Sequence, residues 1–198
     1  CHSPVIMEQM ETLAGMLENH KGKKVYSYLK KSVKAQVDAI VDAGNSALLG
    51  CFCPCHGCID NAIHSAAGLQ LRDECGRIMK AQGHPEPAGW AKLTEGYNLP
   101  ARYVLHTVGP VVGRQTTARA RADLASCYRS CLELAAEHGL KSVAFCCVST
   151  GEFHFPHKDA AEIAVGAVKA FLETRSPVKR VIFNVFQDLD AKIYRGLL

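Results

Sequence analysis

Residues 37–68, VDAIVDAGNSALLGCFCPCHGCIDNAIHSAAG, constrain this chain more than any other stretch. Positions 37–41 are almost wholly apolar and read as a strand covered on both faces. A turn follows at Asp42-Ala43-Gly44-Asn45, then a loop dense in Cys and His, then a helix opening near Asp60. Within eight residues that loop places Cys51, Cys53, Cys55, His56 and Cys58, with His64 further along the helix. Thiolate and imidazole are the ligands a tetrahedral Zn²⁺ prefers, and a flexible loop lets them converge. A strand feeding a loop and a helix N-terminus is also where α/β proteins hold phosphates, because unpaired N–H groups point outward there. Blander readings stand beside these: a reduced thiol cluster without metal, and Asp60 as a plain helix N-cap.

Composition limits the alternatives. The 198 residues fit one domain, with 48% hydrophobic and 21% charged residues, ordinary for a globular protein. The formal charge of +4 is mild. Lys21, Lys23, Lys24, Lys30, Lys31 and Lys34 cluster ahead of the first core strand, but no aromatic stacking pattern accompanies them, so a solvated face is preferred over a nucleic-acid surface. Ten cysteines invite a disulfide scaffold. Four of them crowd one loop, however, and Cys75, Cys127 and Cys131 fall on apolar helix faces, where free Cys behaves as a small hydrophobe. A reducing, cytoplasmic compartment is expected. No apolar run reaches the ~18 residues of a membrane span, and a monomer without nucleic-acid or membrane partners is anticipated.

Taken in order, apolar positions Ile6, Met10, Leu13 and Leu17 predict a helix over 5–19, part of an N-terminal helical extension over 1–22. A first, exposed strand is expected over 24–29, the core strand over 37–41 and a helix over 60–80. Residues 81–100 read as irregular, with Pro85, Pro87, Gly89, Gly96 and Pro100 as breakers and Trp90 and Tyr97 as covers for the core. A strand over 102–108 contains His106, read as a satisfied core histidine. A helix over 117–138, a buried strand over 142–148, a helix over 158–173, a last strand over 178–186 and a closing helix over 188–198 complete the chain. Alternating strands and helices imply one α/β/α sandwich around a mostly parallel sheet.

Two turns then stand at the carboxyl edge of such a sheet, after strands 37–41 and 142–148, where ligands of open α/β sheets bind. Ser149-Thr150-Gly151 offers consecutive backbone N–H groups, a cradle for a diphosphate or an ordinary strand-to-helix connection. Asn45 adds a two-way hydrogen-bonding amide next to Gly44.

These residues resemble the macrodomain family, which binds ADP-ribose. VDAIVDAGN is similar to the family's V-D-A-I-V-N-A-A-N, CIDNAIHSAAG to G-V-D-G-A-I-H-x-A-A-G, YVLHTVGP to Y-V-I-H-T-V-G-P, and STGEFHFP to S-T-G-x-[FY]-x-[FY]-P. Residues 50–64 further resemble the zinc-dependent branch, marked by G-C-F-x-P-x-H-x-C-I-D-N-x-I-H, whose members remove ADP-ribose from modified proteins. The resemblance implies a three-layer α/β/α macrodomain sandwich with a central mixed, mostly parallel sheet, acting as a zinc-dependent hydrolase of mono-ADP-ribosylated proteins. It implies Zn²⁺ ligands Cys51, His56 and Cys58, with Cys53 and Cys55 as extra thiols, and catalytic roles for Asp60 and Asn45. Ala43, Gly44, Ile59, Ser149, Thr150, Gly151, Glu152, Phe153 and His154 would line the ADP-ribose site. Phe186 is a platform for adenine or a buried core ring. A non-catalytic reader whose zinc only shapes the loop is the second reading.

Three departures from the family pattern matter. Asp42 replaces the first Asn of N-A-A-N, no counterpart of the adenine-contacting G-D-I-T segment is evident, and Glu152 stands where a small apolar residue is usual. A carboxylate beside a diphosphate repels it, so Glu152 is expected to point outward along the start of the following helix, towards its positive end.

Overall fold

Alternation within the central strands decides the layering. In a computed structural model, which describes residues 19–20, 23–29, 37–53 and 56–198, Ala39, Val41, Leu105, Val143, Phe145, Val181 and Phe183 belong to one buried cluster. Their neighbours Ile40, Val104, Ala144 and Ile182 belong to a second. Side chains on a strand alternate between faces, so a strand apolar at every position must be covered on both sides.

Among the described residues the strands are β1 (Asn19–His20), β2 (Lys23–Leu29), β3 (Ala39–Gly44), β4 (Ala91–Glu95), β5 (Tyr103–Val108), β6 (Ser142–Phe145) and β7 (Arg180–Val185), in the sheet order β1-β2-β7-β6-β3-β5-β4. The five strands from β2 to β5 run parallel, and β1 and β4 pair antiparallel at the two edges. The helices are α1 (Ile59–Ala67), α2 (Leu69–Gln82), α3 (Ala118–Glu137), α4 (His157–Leu172) and α5 (Asp188–Leu197). Helices α3, α4 and α5 pack on the first face and α1 and α2 on the second, which is the expected mixed three-layer sandwich. The expected helix over 5–19 lies outside the described residues except at Asn19, which with His20 forms β1 where a helical extension over 1–22 was expected, because the two pair antiparallel with β2.

Four local readings change. The single helix expected over 60–80 breaks at Gly68, whose φ of 95° and ψ of −179° end α1 and open α2. Residues 91–95, read as irregular, form β4 because they find hydrogen-bonding partners on β5, a long-range gain that local breakers do not foretell. Trp90 and Tyr97 are 53% and 39% exposed and do not cover the core. Strand β6 stops at Phe145, so Cys146, Cys147 and Val148 belong to the loop that follows.

Candidate active site

A cleft of about 630 Å³ opens at the carboxyl ends of β3, β5, β6 and β7. Ala43, Gly44 and Asn45 enter it from β3, Gly109 from β5, Ser149 to Phe153 from the loop after β6, and Phe186 from β7. Cys51, His56, Cys58, Ile59 and Asp60 form the wall that leads into α1. His154 is exposed, takes a φ of 57° and does not line the cleft. Phe186 is 66% exposed at the cleft, so it is not a core ring.

The loop after β6 is shaped by its own backbone. Ser149 adopts a φ of 66°, Phe155 N–H donates to Ser149 O at 2.9 Å, and His154 N–H donates to Gly151 O at 3.0 Å. The N–H groups of Thr150, Gly151, Glu152 and Phe153 donate to no protein acceptor among the described residues. A row of such donors is a ready cradle for an anion. Gly109 lets the loop close: a Cβ there would lie 2.0 Å from Ser149 Oγ and 2.8 Å from Val148 Cγ1.

On the facing wall, Cys51 Sγ lies 3.3 Å from His56 Nδ1, and one donor atom each from Cys51, His56 and Cys58 lies within 4.8 Å of the others. Two thiols and an imidazole nitrogen at that spacing are the donor set a Zn²⁺ ion would accept, and three such ligands would leave a fourth position for a non-protein ligand. The Cys53 N–H and then the His56 side chain hold the Cys51 thiol below its ordinary value. Cys58 also caps α1, its sulfur accepting from Asn61 N–H at 3.4 Å. Cys53 is exposed, and Cys55 lies outside the described residues.

Asp60 sits in the first turn of α1, 5% exposed, with its carboxylate facing the cleft floor. Burial pushes its carboxyl up to about 8, helped by the Asp42 charge and opposed by His106. Beneath it, Asp42 Oδ2 accepts from His106 Nδ1 at 3.0 Å, and His106 Nε2 lies 2.9 Å from Thr94 Oγ1. His106 is thus the satisfied core histidine expected. His64 Nε2 stands 3.5 Å from Asp60 and 3.7 Å from Asp42, beyond good hydrogen-bond length, and burial holds its pKa down. Asn45 braces its own turn: Oδ1 accepts from Ala47 N–H at 3.0 Å and Nδ2 reaches Gly50 O at 3.4 Å.

Glu152 departs from expectation. Its side chain is 71% exposed, yet it does not lie along α4: Oε1 stands 3.2 Å from His56 Nε2, across the cleft. The carboxylate in the first turn of α4 is Asp159. Sequence reasoning missed Asn184, Gln187 and Asp190, which also line the cleft. The rule that singled out Phe186, ligands at the carboxyl ends of parallel strands, reaches Asn184 and Gln187 equally well. Asp190 stands in the first turn of α5, and its partner His157, 2.6 Å away, is 33 residues distant in the chain.

Fold and cleft together define an α/β/α domain with a cleft at the carboxyl edge of its sheet, walled on one side by backbone N–H groups and on the other by Cys, His and Asp side chains. The chain belongs to the macrodomain family: the Macro domain pattern matches residues 41–164. It is 53% identical over 163 residues to a protein-ADP-ribose hydrolase of Treponema medium (82% of this chain, 62% of that protein). It is 48% identical over 176 residues to one of Staphylococcus aureus (88% and 66%), and 43% identical over 203 residues to the ADP-ribose glycohydrolase MACROD1 of Mus musculus (98% and 60%). The chain therefore spans about three fifths to two thirds of the length of these relatives. Among solved structures it is similar to the Oceanobacillus iheyensis macrodomain with ADP, at a TM-score of 0.84 and 34% identity over 92% of this chain and 93% of that one. The Trypanosoma brucei macrodomain in complex with ADP-ribose gives 0.74 and 41% over 87% and 68%.

Proposed function

We propose that this chain is a zinc-dependent hydrolase that releases ADP-ribose from mono-ADP-ribosylated proteins carrying it on an acidic or hydroxyl side chain. The observation that carries the reading is the meeting, in one cleft, of a row of free loop N–H groups, a buried carboxyl and a Cys–His–Cys donor set. The N–H groups of residues 150–153 bind the diphosphate and fix the ligand's direction along the cleft. Asn45 and Gly44 then meet the distal ribose, and Phe186 offers an exposed ring to the adenine end. Asp60 orients the attacking water and, once ionised as pH rises towards the value of about 8 to which burial pushes it, takes up the water's proton. The water oxygen adds to the anomeric carbon as the bond from that carbon to the protein side-chain oxygen breaks; an acidic side chain departs as its carboxylate, and a hydroxyl side chain departs with the proton that Asp60 took from the water. Zinc held by Cys51, His56 and Cys58 would supply a Lewis acid beside that carbon. Relatives named protein-ADP-ribose hydrolase and a neighbour solved with ADP-ribose support the assignment.

The test is to incubate the protein with mono-ADP-ribosylated substrates, with and without a zinc chelator, and to follow released ADP-ribose. Release that stops with chelator and returns with zinc is expected. Asp60→Ala should still bind ADP-ribose by calorimetry while turnover falls by roughly 10²-fold or more. Binding without release in the unaltered protein would favour the reader.

A further inference from the structure

Glu152 is the one residue of the phosphate loop whose side chain works against that loop's task, since a carboxylate repels the anion that its own N–H group would bind. Its geometry supplies another task. Oε1 lies 3.2 Å from Nε2 of His56, a residue 96 positions away on the opposite wall. The second ring nitrogen of the same histidine, Nδ1, faces Cys51 Sγ at 3.3 Å, inside the Cys51–His56–Cys58 donor set. The imidazole is thus held from one side and turned towards the Cys51 thiol on the other.

Resting on the zinc reading above, we propose that Glu152 is the positioning residue of the metal ligand His56 and ties the phosphate loop to the metal loop. A neutral imidazole carries one N–H, and whichever nitrogen donates it, the other keeps the lone pair. With the Nε2 hydrogen donated to Glu152, the lone pair falls on Nδ1, the nitrogen that faces Cys51. A carboxylate behind a ligating histidine fixes both tautomer and ring direction. Glu152 is not itself a ligand, because it meets the ring at the nitrogen directed away from the thiols. Nor is it a stabilising surface pair, since an ion pair this exposed contributes little to folding. The contact also joins two loops that bind different things, so metal at His56 and diphosphate at residues 150–153 are coupled through it, and by the reciprocity of linked binding each changes the other's affinity by the same factor.

Zinc affinity, measured by competition with a chromogenic chelator, tests the proposal without reference to turnover. Glu152→Val should bind zinc about 10- to 100-fold more weakly than the unaltered protein. Glu152→Gln keeps an oxygen that accepts from Nε2–H and should stay within about threefold. Calorimetry of ADP-ribose with and without zinc should show the metal strengthening ligand binding in the unaltered protein and in Glu152→Gln, and that gain disappearing in Glu152→Val. Equal zinc affinity in all three proteins overturns the proposal. So does a loss shared equally by both variants, which would assign the effect to net charge instead of ring orientation. An unaltered protein that binds no zinc overturns the zinc reading beneath it, a result distinct from either.

Discussion

Asp42 is the departure from the family pattern with the clearest physical consequence. In the β3–β5 register it stands directly beside His106, and the two make a buried pair at 3.0 Å. Burial pushes the His106 imidazole down, but hydrogen bonds to Asp42 and then Cys75 outweigh it and raise the group to about 10. A folded value above the unfolded value of about 6.5 means the proton stabilises the folded state. That stability is complete below about pH 6.5 and is lost as pH climbs towards about 10. Asp42→Asn, which restores the family's residue, should flatten this limb. Between about pH 6 and about pH 9, denaturant unfolding should show the unaltered protein losing at least about 1 kcal/mol more stability than the variant. Equal losses would remove the pair from the pH dependence. In the metal loop, Cys58→Ser should reduce zinc to less than about a tenth of an equivalent by elemental analysis, and Cys53→Ser should keep it. Loss of metal in Cys53→Ser would make the site a closed, structural one. The substitution at residue 42 is plain in the sequence, but its partner lies 64 residues on and is set by strand register, which no local pattern encodes.

At the scale of elements, legibility followed how much each segment decides for itself. Helix α3 was readable to within a residue at each end, because Thr117 caps it and an apolar stripe runs its length. Replacing Thr117 by Ala removes the acceptor for Ala120 N–H and should cost about 1 kcal/mol in thermal or chemical unfolding. Strand β4 was missed since AKLTE has only Thr94 buried, and its conformation comes from pairing with β5. The loop after β6 was legible as a run of small residues offering backbone N–H groups at the sheet edge, but its fit against the end of β5 was not. Gly109→Ala makes that fit measurable. The new methyl collides with Ser149, the loop must move, and ADP-ribose affinity should fall tenfold or more by calorimetry. Unchanged affinity would show that the cradle does not depend on this contact.

For the molecule as a whole, alternating strands and helices declared the three layers, but the strand order did not follow from the sequence. That order is decided by which faces can be buried together. Phe183, on the interior strand β7, packs 4.9 Å from the Tyr194 ring and within 6.5 Å of Phe145 and Tyr128, joining α3 and α5 to the sheet. Phe183→Ala should cost about 3–5 kcal/mol, lowering the thermal midpoint by roughly 6–20 °C. A smaller shift would mean that the aromatic layer collapses to fill the space. The same layering sorts the thiols. Cys75, Cys127, Cys131 and Cys146 are buried, and burial raises Cys127 to about 11 and Cys146 to about 12. Cys53 is exposed, and Cys51 and Cys58 are half-buried at the cleft. Alkylating reagents attack thiolates within reach of solvent, so a brief pulse of iodoacetamide on folded protein marks Cys51 and Cys53 in the cleft loop ahead of Cys58, which burial pushes up to about 11, and spares the interior. A count of alkyl groups by mass spectrometry then becomes a direct meter of whether that loop is occupied.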